Sequence, residues 1–288
     1  MIPREFEYHA PGSIPDALAL LDELGEDAKL LAGGHSLLPM MKMRFAQPGH
    51  LVDLGRIAEL KGIREEGNTL RIGAMTTENE IIWSKLLQAK CPLLVEAARL
   101  VSDPQVRYKG TIGGDIAHGD PANDHPAVML ALGASFVLRS PKGERVVPAD
   151  GFFVGSYDTA MKPGEILTEI RVPAPASGTG YCYSKLKRKI GDFATAAAAV
   201  TLRMKGETVG EVAIALTNVG ATPLKARAAE EALRGKALTD AAIAAAAALA
   251  MSICDPVADQ RGDVEYKTAM AGEMTQRALR VAYSRAAR

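Results

Sequence analysis

Ala32-Gly33-Gly34-His35-Ser36-Leu37 and Thr111-Ile112-Gly113-Gly114-Asp115 are the two stretches on which the reading of this chain turns. Each follows an apolar lead-in, Leu30-Leu31 before the first, Val106 and Tyr108 before the second. A glycine pair lets the backbone adopt conformations closed to other residues and come close to a ligand. Ser36 and Thr111 add hydroxyls, and N–H groups gathered in such turns form a concavity suited to phosphate. One Gly-Gly step is an ordinary turn signal. Two of them, each beside hydroxyl or acid residues, point to a single diphosphate gripped from two sides. No G-x-G-x-x-G opens a helix and no G-x-x-x-x-G-K-[ST] occurs, so the common nucleotide fingerprints do not apply.

The sequence has 288 residues, which is a prior for about two domains. Lys+Arg and Asp+Glu balance at 34 each, which argues against nucleic acid or an anionic membrane as partner. Cys91, Cys182 and Cys254 are scattered and odd in number, with no C-x-x-C. That pattern argues against a disulfide framework and against zinc or iron–sulfur ligation by this chain. No signal peptide or membrane span is visible, so the expected location is the cytoplasm.

Ser13 and Pro15 open an amphipathic helix that Gly25 stops, with Ile14, Ala17, Leu18 and Leu21 on one face. With strands at 29–32 and 50–54, the first 55 residues read as a β-α-β layer. From Gly62 onward, strands and tight turns alternate, with helices at 78–84 and 92–101. A helix, a glycine turn and a strand follow over 127–140, and a strand over 165–172. PAPASGTG (173–180) is the linker candidate. Beyond it come strands at 181–187, 197–204 and 211–218, then helices at 224–234, 239–253 and 265–286. That order suggests an α+β unit with a three-stranded sheet.

Taken alone, His118, Asp120, Asp124 and His125 have the donor types of a mixed N/O metal site. Pro121 and Pro126 interrupt any regular helix that would align them, so no metal site is assigned. Lys185-Leu186-Lys187-Arg188-Lys189 reads as a solvated strand face, with Lys185, Lys187 and Lys189 on one side. Met40, Met41 and Met43 read as core filler, and Lys42 and Arg44 as solvated. Phe193 is either a core aromatic entering the Ala194–Ala199 stretch or a ring exposed to a ligand.

AGGHSLLPMMKMR (32–44) and TIGGDIAHGDPANDHPA (111–127) resemble the two flavin loops of the FAD subunits of molybdenum hydroxylases. The likeness continues through KLKRKIGDFATAAAAV (185–200) and LTNVGATPLKA (216–226), in the same order along the chain, and is greatest for the carbon monoxide dehydrogenase branch. The resemblance implies an α+β fold: a bipartite FAD-binding domain of the vanillyl-alcohol-oxidase type at 1–177, with lobes of about 1–55 and 56–177, and a smaller C-terminal domain at 178–288. It implies FAD on this chain, with molybdopterin on a large partner subunit and [2Fe-2S] clusters on a small one, assembled as a dimer of heterotrimers. Electrons would pass from the clusters to FAD and on to a quinone or other acceptor, which could bring the assembly to the inner face of the membrane.

The residues implied in cofactor binding are Ala32, Gly33, Gly34, His35, Ser36, Leu37, Thr111, Gly114, Asp115, Ala117, Asn123, Asp124, Lys185 and Phe193, with no catalytic residue. Ser36, Thr111 and Gly114 would hold the pyrophosphate and Asp124 would accept from sugar hydroxyls. Lys185 would reach the flavin and Phe193 cover its ring, with the small residues Ala194 and Ala196–Ala199 packing beneath. His35 is either a polar contact beside the flavin or a solvent-facing histidine. Asp115 stands where many relatives carry Asn, and a carboxylate beside a diphosphate needs an offsetting donor such as Lys185 or Arg107. Two other readings stay open: the flavin subunit of an aldehyde or N-heterocycle dehydrogenase, and a self-contained flavin oxidase.

Overall fold

In the computed structural model, which describes residues 2–286, three main sheets carry the chain. The first is parallel. Strands β1 (Glu7–His9), β2 (Ala28–Leu31) and β3 (His50–Asp53) lie in the order β1-β3-β2. Helix α1 (Ile14–Leu24) crosses between the first two strands. Ser13 caps it by accepting from Asp16 N at 3.2 Å, and Gly25 ends it at φ +59°. Its apolar face, Ile14, Ala17 and Leu18, is buried in one cluster with Val52, Leu54 and Ile57. Helix α2 (Leu37–Lys42) follows β2 after the first glycine turn.

The second sheet is antiparallel. It opens with β4 (Ile63–Glu66) and β5 (Thr69–Gly73). Six helices then intervene: α3 (Glu78–Trp83), α4 (Lys85–Lys90), α5 (Pro92–Leu100), α6 (Pro104–Lys109), α7 (Ile112–His118) and α8 (Asp124–Leu132). Gly133 ends α8 at φ +62°, as its place before an apolar strand suggests. The chain returns through β6 (Ser135–Ser140), β7 (Gly143–Pro148), the hairpin β8 (Phe153–Gly155) and β9 (Asp158–Thr159), and β10 (Ile166–Pro173). The strand order is β4-β5-β10-β6-β7. Phe136, Phe152 and Phe153 meet edge to face in its core, with centroids as close as 4.5 Å.

The third sheet runs β11 (Gly180–Leu186), β12 (Ala196–Lys205), β13 (Thr208–Thr217) and β14 (Leu224–Lys225), all antiparallel. It has four strands where three were expected. Leu224 and Lys225 pair with Leu216 and Ala215, so the helix expected from 224 starts only at α9 (Arg227–Leu233). Helices α10 (Asp240–Met251) and α11 (Val264–Arg285) complete the unit.

Alternation along β12 explains its alanines. Ala196, Ala198, Val200 and Leu202 face a core shared with α9, α10 and α11, while Ala197 and Ala199 join the core around the second sheet. A strand buried on both faces reads as one continuous apolar run. All of Ala194 and Ala196–Ala199 are therefore core residues and none lines the cleft described below, contrary to the expectation that they pack beneath a ring.

Gly180 sits under α11, where an added Cβ would lie 1.9 Å from the carbonyl oxygen of Ala282. Gly180→Ala must therefore push α11 off β11. The expected cost is about 1–3 kcal/mol of unfolding free energy, read by urea denaturation; an unchanged midpoint would contradict this packing.

Candidate cofactor-binding site

The turn between β2 and α2 touches the backbone that leads into α7. A Cβ on Gly33 would stand 2.4 Å from Lys109 O and 2.8 Å from Gly110 Cα, so glycine is required for this approach. Gly34 adopts φ +76°, again a glycine conformation. Among the described residues, none takes a hydrogen bond from the N–H groups of Gly34, His35 or Ser36. The Ser36 hydroxyl makes no cap to α2. These donors all border one cleft of about 780 Å³.

The second glycine pair is not a loop. Thr111 N-caps α7, its Oγ1 accepting from Gly114 N at 3.2 Å, and the glycines lie in the helix's first turn. Ile112 N and Gly113 N bond Thr76 O and Ala74 O at 3.1 and 2.9 Å. A Cβ on Gly113 would be 2.5 Å from that of Ala74. One on Gly114 would be 3.3 Å from that of Ala32. Close packing, not turn formation, is what these glycines supply. The Gly114 N–H is already committed to Thr111, which corrects the expectation that it serves a phosphate. The two motifs do meet, but free amides come from the first alone.

Every residue expected at the site lines this cleft: Ala32, Gly33, Gly34, His35, Ser36 and Leu37 on one side, Thr111, Gly114, Asp115, Ala117, Asn123 and Asp124 on the other, with Lys185 and Phe193 from the third sheet's side. Two of these residues sit differently from expectation, and at a third the structure decides between the two alternatives. Asp124, 5% exposed, takes Tyr183 Oη on Oδ1 at 2.5 Å and Lys185 Nζ on Oδ2 at 2.7 Å. Lys185 also donates to Leu100 O at 3.1 Å. Its ammonium is thus fastened beneath the cleft, and Asp124 keeps only its remaining lone pairs for a sugar hydroxyl. Burial, then Asp124, drives the Tyr183 hydroxyl well above its usual pKa, so it stays a donor. Nor does the 185–189 run form a strand face. β11 ends at Leu186, and Arg188 turns to Asp192 at 3.0 Å.

Asp115 is the second departure. Its Oδ1 is buried with no hydrogen-bond partner, and burial pushes the carboxyl up to about 8. Neither Lys185 nor Arg107 offsets it: Arg107 donates to Val101 O and Ser102 O. Burial thus favours the protonated form, which can donate rather than repel. His125, fully buried, lies 2.7 Å from Glu78 Oε2. Burial alone would favour the uncharged ring, but the Glu78 carboxylate outweighs it and holds the imidazole at about 9. His118 packs against Tyr157 with centroids 5.1 Å apart, and Asp120 accepts from Ala122 N. Among the described residues, His118, Asp120, Asp124 and His125 therefore do not converge on a metal. Pro126 does not interrupt a helix either; it occupies the first turn of α8, where a missing N–H costs nothing.

Phe193 is the third. It is 44% exposed, which excludes the core alternative, and the Arg261 guanidinium sits 5.5 Å from its ring centroid. Although Asp192 beside it is buried, bonds from Arg261 and Arg188 hold its carboxyl down at about 2. His35 is exposed at the rim, as are Lys42 and Arg44 beyond it. Met41 is buried as expected, whereas Met43 is 48% exposed. Sequence reasoning missed Tyr183 and Glu78. Tyr183 was accessible through alternation with Lys185 on β11; Glu78 had no local signal.

Residues 4–175 match the model of the FAD-binding domain in molybdopterin dehydrogenase, and residues 181–282 that of the CO dehydrogenase flavoprotein C-terminal domain. The chain belongs to this flavoprotein family. Within the family, it is 61% identical to the carbon monoxide dehydrogenase medium chain of Hydrogenophaga pseudoflava over 287 residues, covering all of both. It is 55% identical to the carbon monoxide dehydrogenase medium chain of Afipia carboxidovorans over 286 residues, 99% of each. A solved structure of carbon monoxide dehydrogenase from Hydrogenophaga pseudoflava superposes with a TM-score of 0.99 at 63% identity, covering 100% of both chains.

The buried pair beneath the cleft gives a direct test. With side chains of Lys185 and Asp124 only 1% and 6% exposed, Lys185→Met strands a carboxylate in the interior. The expected loss is about 3–5 kcal/mol of unfolding free energy by urea denaturation. A loss below about 1 kcal/mol would show that the pair is not buried as described.

Proposed function

We infer that this chain binds FAD in the cleft and serves as the electron-transfer subunit of a carbon monoxide dehydrogenase. The observation that carries this reading is the meeting of both glycine motifs at one cleft, in a chain matched end to end by carbon monoxide dehydrogenase medium chains. The donor set fits the cofactor. Gly33 lets the first turn close onto the 109–110 backbone, and the N–H groups of Gly34, His35 and Ser36, with the Ser36 hydroxyl, are free to grip a diphosphate. The Thr111 hydroxyl and the neutral Asp115 carboxyl donate from the opposite wall. Asn123 and the spare lone pairs of Asp124 suit sugar hydroxyls. Phe193 offers a ring face, steadied by Arg261. Lys185 acts at one remove, holding Asp124 in place.

When bound, FAD supplies the redox carrier between [2Fe-2S] clusters on a small partner subunit and an external acceptor such as a quinone. Molybdopterin and the oxidation of substrate belong, in this reading, to a large partner subunit, and two heterotrimers pair. This chain's own thiols are poor cluster ligands: burial pushes Cys91 and Cys182 up to about 12. The exposed Leu38, Met43 and Phe45 beside the first glycine turn give partners an apolar landing surface. The reading also includes functional units at 1–177 and 178–288 and a cytoplasmic location, with the acceptor drawing the assembly to the membrane. Among the described residues, no helix is long and apolar enough to cross a membrane.

Two substitutions separate the parts. Gly34→Val puts a branched side chain at φ +76° and against Leu38 and Leu31, which must shift the turn that carries the free amides, so FAD content after gel filtration should fall below about a tenth of wild type. In the assembled complex, carbon monoxide should still bleach the iron–sulfur absorbance of this variant while acceptor reduction stops. Acceptor reduction at the wild-type rate would refute the assignment. Phe193→Ala, by contrast, should keep FAD at gel-filtration concentrations, with higher flavin fluorescence and faster release. Because the ring is half exposed, the thermal midpoint should move by less than that of a core Phe→Ala, whose cost is about 3–5 kcal/mol. Unaltered fluorescence would remove Phe193 from the site.

A further inference from the structure

Away from the cleft, the parallel pairing of β1 and β3 gathers two imidazoles and a carboxylate. The register sets Glu7 opposite His50, and His9 lies two residues along β1 on the same face. Tyr8 points to the other face, where its hydroxyl donates to Asp53 at 2.5 Å and pins the strand's orientation. His9 Nε2 and His50 Nδ1 are 3.2 Å apart. Glu7 Oε2 lies 3.6 Å from His50 Nδ1 and 3.9 Å from His9 Nε2. Four-coordinate zinc, with bonds of ~2.0–2.1 Å to N and O, keeps its ligand atoms about 3.3–3.4 Å apart. The three observed separations straddle that value, so the donors already outline one face of a coordination tetrahedron.

We propose that Glu7, His9 and His50 form a binding site for a divalent transition-metal ion of the zinc type. Imidazole and carboxylate are the donors such ions favour at neutral pH. Two ring nitrogens facing each other can share one proton in one hydrogen bond, which leaves the carboxylate at longer range. A cation at the centre engages all three donors at once. The side chains of His9 and His50 are 26% and 22% exposed, and that of Glu7 73%, so the fourth position opens to water. The site also has a mechanical consequence. β1 is a three-residue edge strand, and a metal bridging it to β3 ties the N-terminal segment into the first sheet.

The test uses the full chain in its purified assembly, dialysed against EDTA and equilibrated with micromolar zinc chloride. Zinc is counted by mass spectrometry, and cobalt(II) substitution is followed by visible absorption. Wild type should take up one zinc per copy of this chain above the level of the His50→Gln variant and show the intense bands of tetrahedral cobalt. His9→Gln and His50→Gln should each weaken binding at least about tenfold. Glu7 is exposed, so Glu7→Gln keeps the fold and still weakens zinc binding, which preserves the test if a histidine variant misfolds. Equal zinc uptake by wild type and Glu7→Gln, or none by wild type, overturns the site and leaves an ordinary hydrogen bond between two imidazoles.

Discussion

Asp124 is the point at which the third sheet is fastened to the helices that floor the cleft. It begins α8, is nearly withdrawn from water, and receives the Tyr183 hydroxyl and the Lys185 ammonium from one face of β11. A charge buried there is tolerable only with a partner ion and further hydrogen bonds, and both are present. Because the two donors are two residues apart on a strand, they fix where β11 lies and which of its faces turns inward. The chain beyond β11 then enters the turn that carries Asp192 and Phe193, locked by Arg188 and Arg261. The rim of the cleft thus inherits its position from an ion pair beneath it.

The same floor solves an electrostatic problem. Glu78, Asp115 and Asp124 line one region that is also proposed to face a diphosphate. Three carboxylates there would repel an anionic ligand strongly. The interior disposes of the charge in distinct ways: Lys185 offsets Asp124, the His125 imidazolium offsets Glu78, and Asp115 takes up a proton because burial disfavours its anion. A protonated carboxyl also donates a hydrogen bond, which converts the least welcome neighbour of a phosphate into a usable one. The proline at 126 lies inside the first turn of α8, where its missing N–H costs no helical bond.

What could be read from the sequence was local in origin. Ser13, Pro15 and Gly25 bounded α1 through capping and φ preferences that act within a few residues. The two glycine pairs marked the cleft because glycine is demanded wherever backbone meets backbone or φ turns positive. Features set by distant partners were not legible. The pairing of Leu224 and Lys225 with β13 outweighs the helical pattern of that segment, and nothing within two residues signals it. The helical conformation at Gly113-Gly114 depends on Thr76 and Ala74 accepting its first N–H groups, a contact from β5's exit. Lys185 lines the cleft, but its pairing with Asp124 was not legible, since that carboxylate lies far away in sequence. Alternation identifies the face of a side chain, not what waits opposite.

The disposition of acid–base groups bears on how the cleft divides labour with any partner. A self-contained oxidase needs a base or nucleophile free at the mouth, within reach of a substrate proton. Here three of the groups able to serve are committed: His125 to Glu78, Lys185 to Asp124 and Leu100, Tyr183 to Asp124 and Thr217. Those contacts are buried, and each would have to break before proton transfer could begin, leaving an unpaired charge or donor in the interior. At the rim stand His35, Ser36 and Phe193, residues suited to contact and coverage. A cleft with mostly paired polar groups below and free backbone amides at one side suits the proposed grip on a dinucleotide. On the proposed reading the substrate's chemistry is left to another polypeptide, which agrees with a chain that is neutral and poor in cysteine.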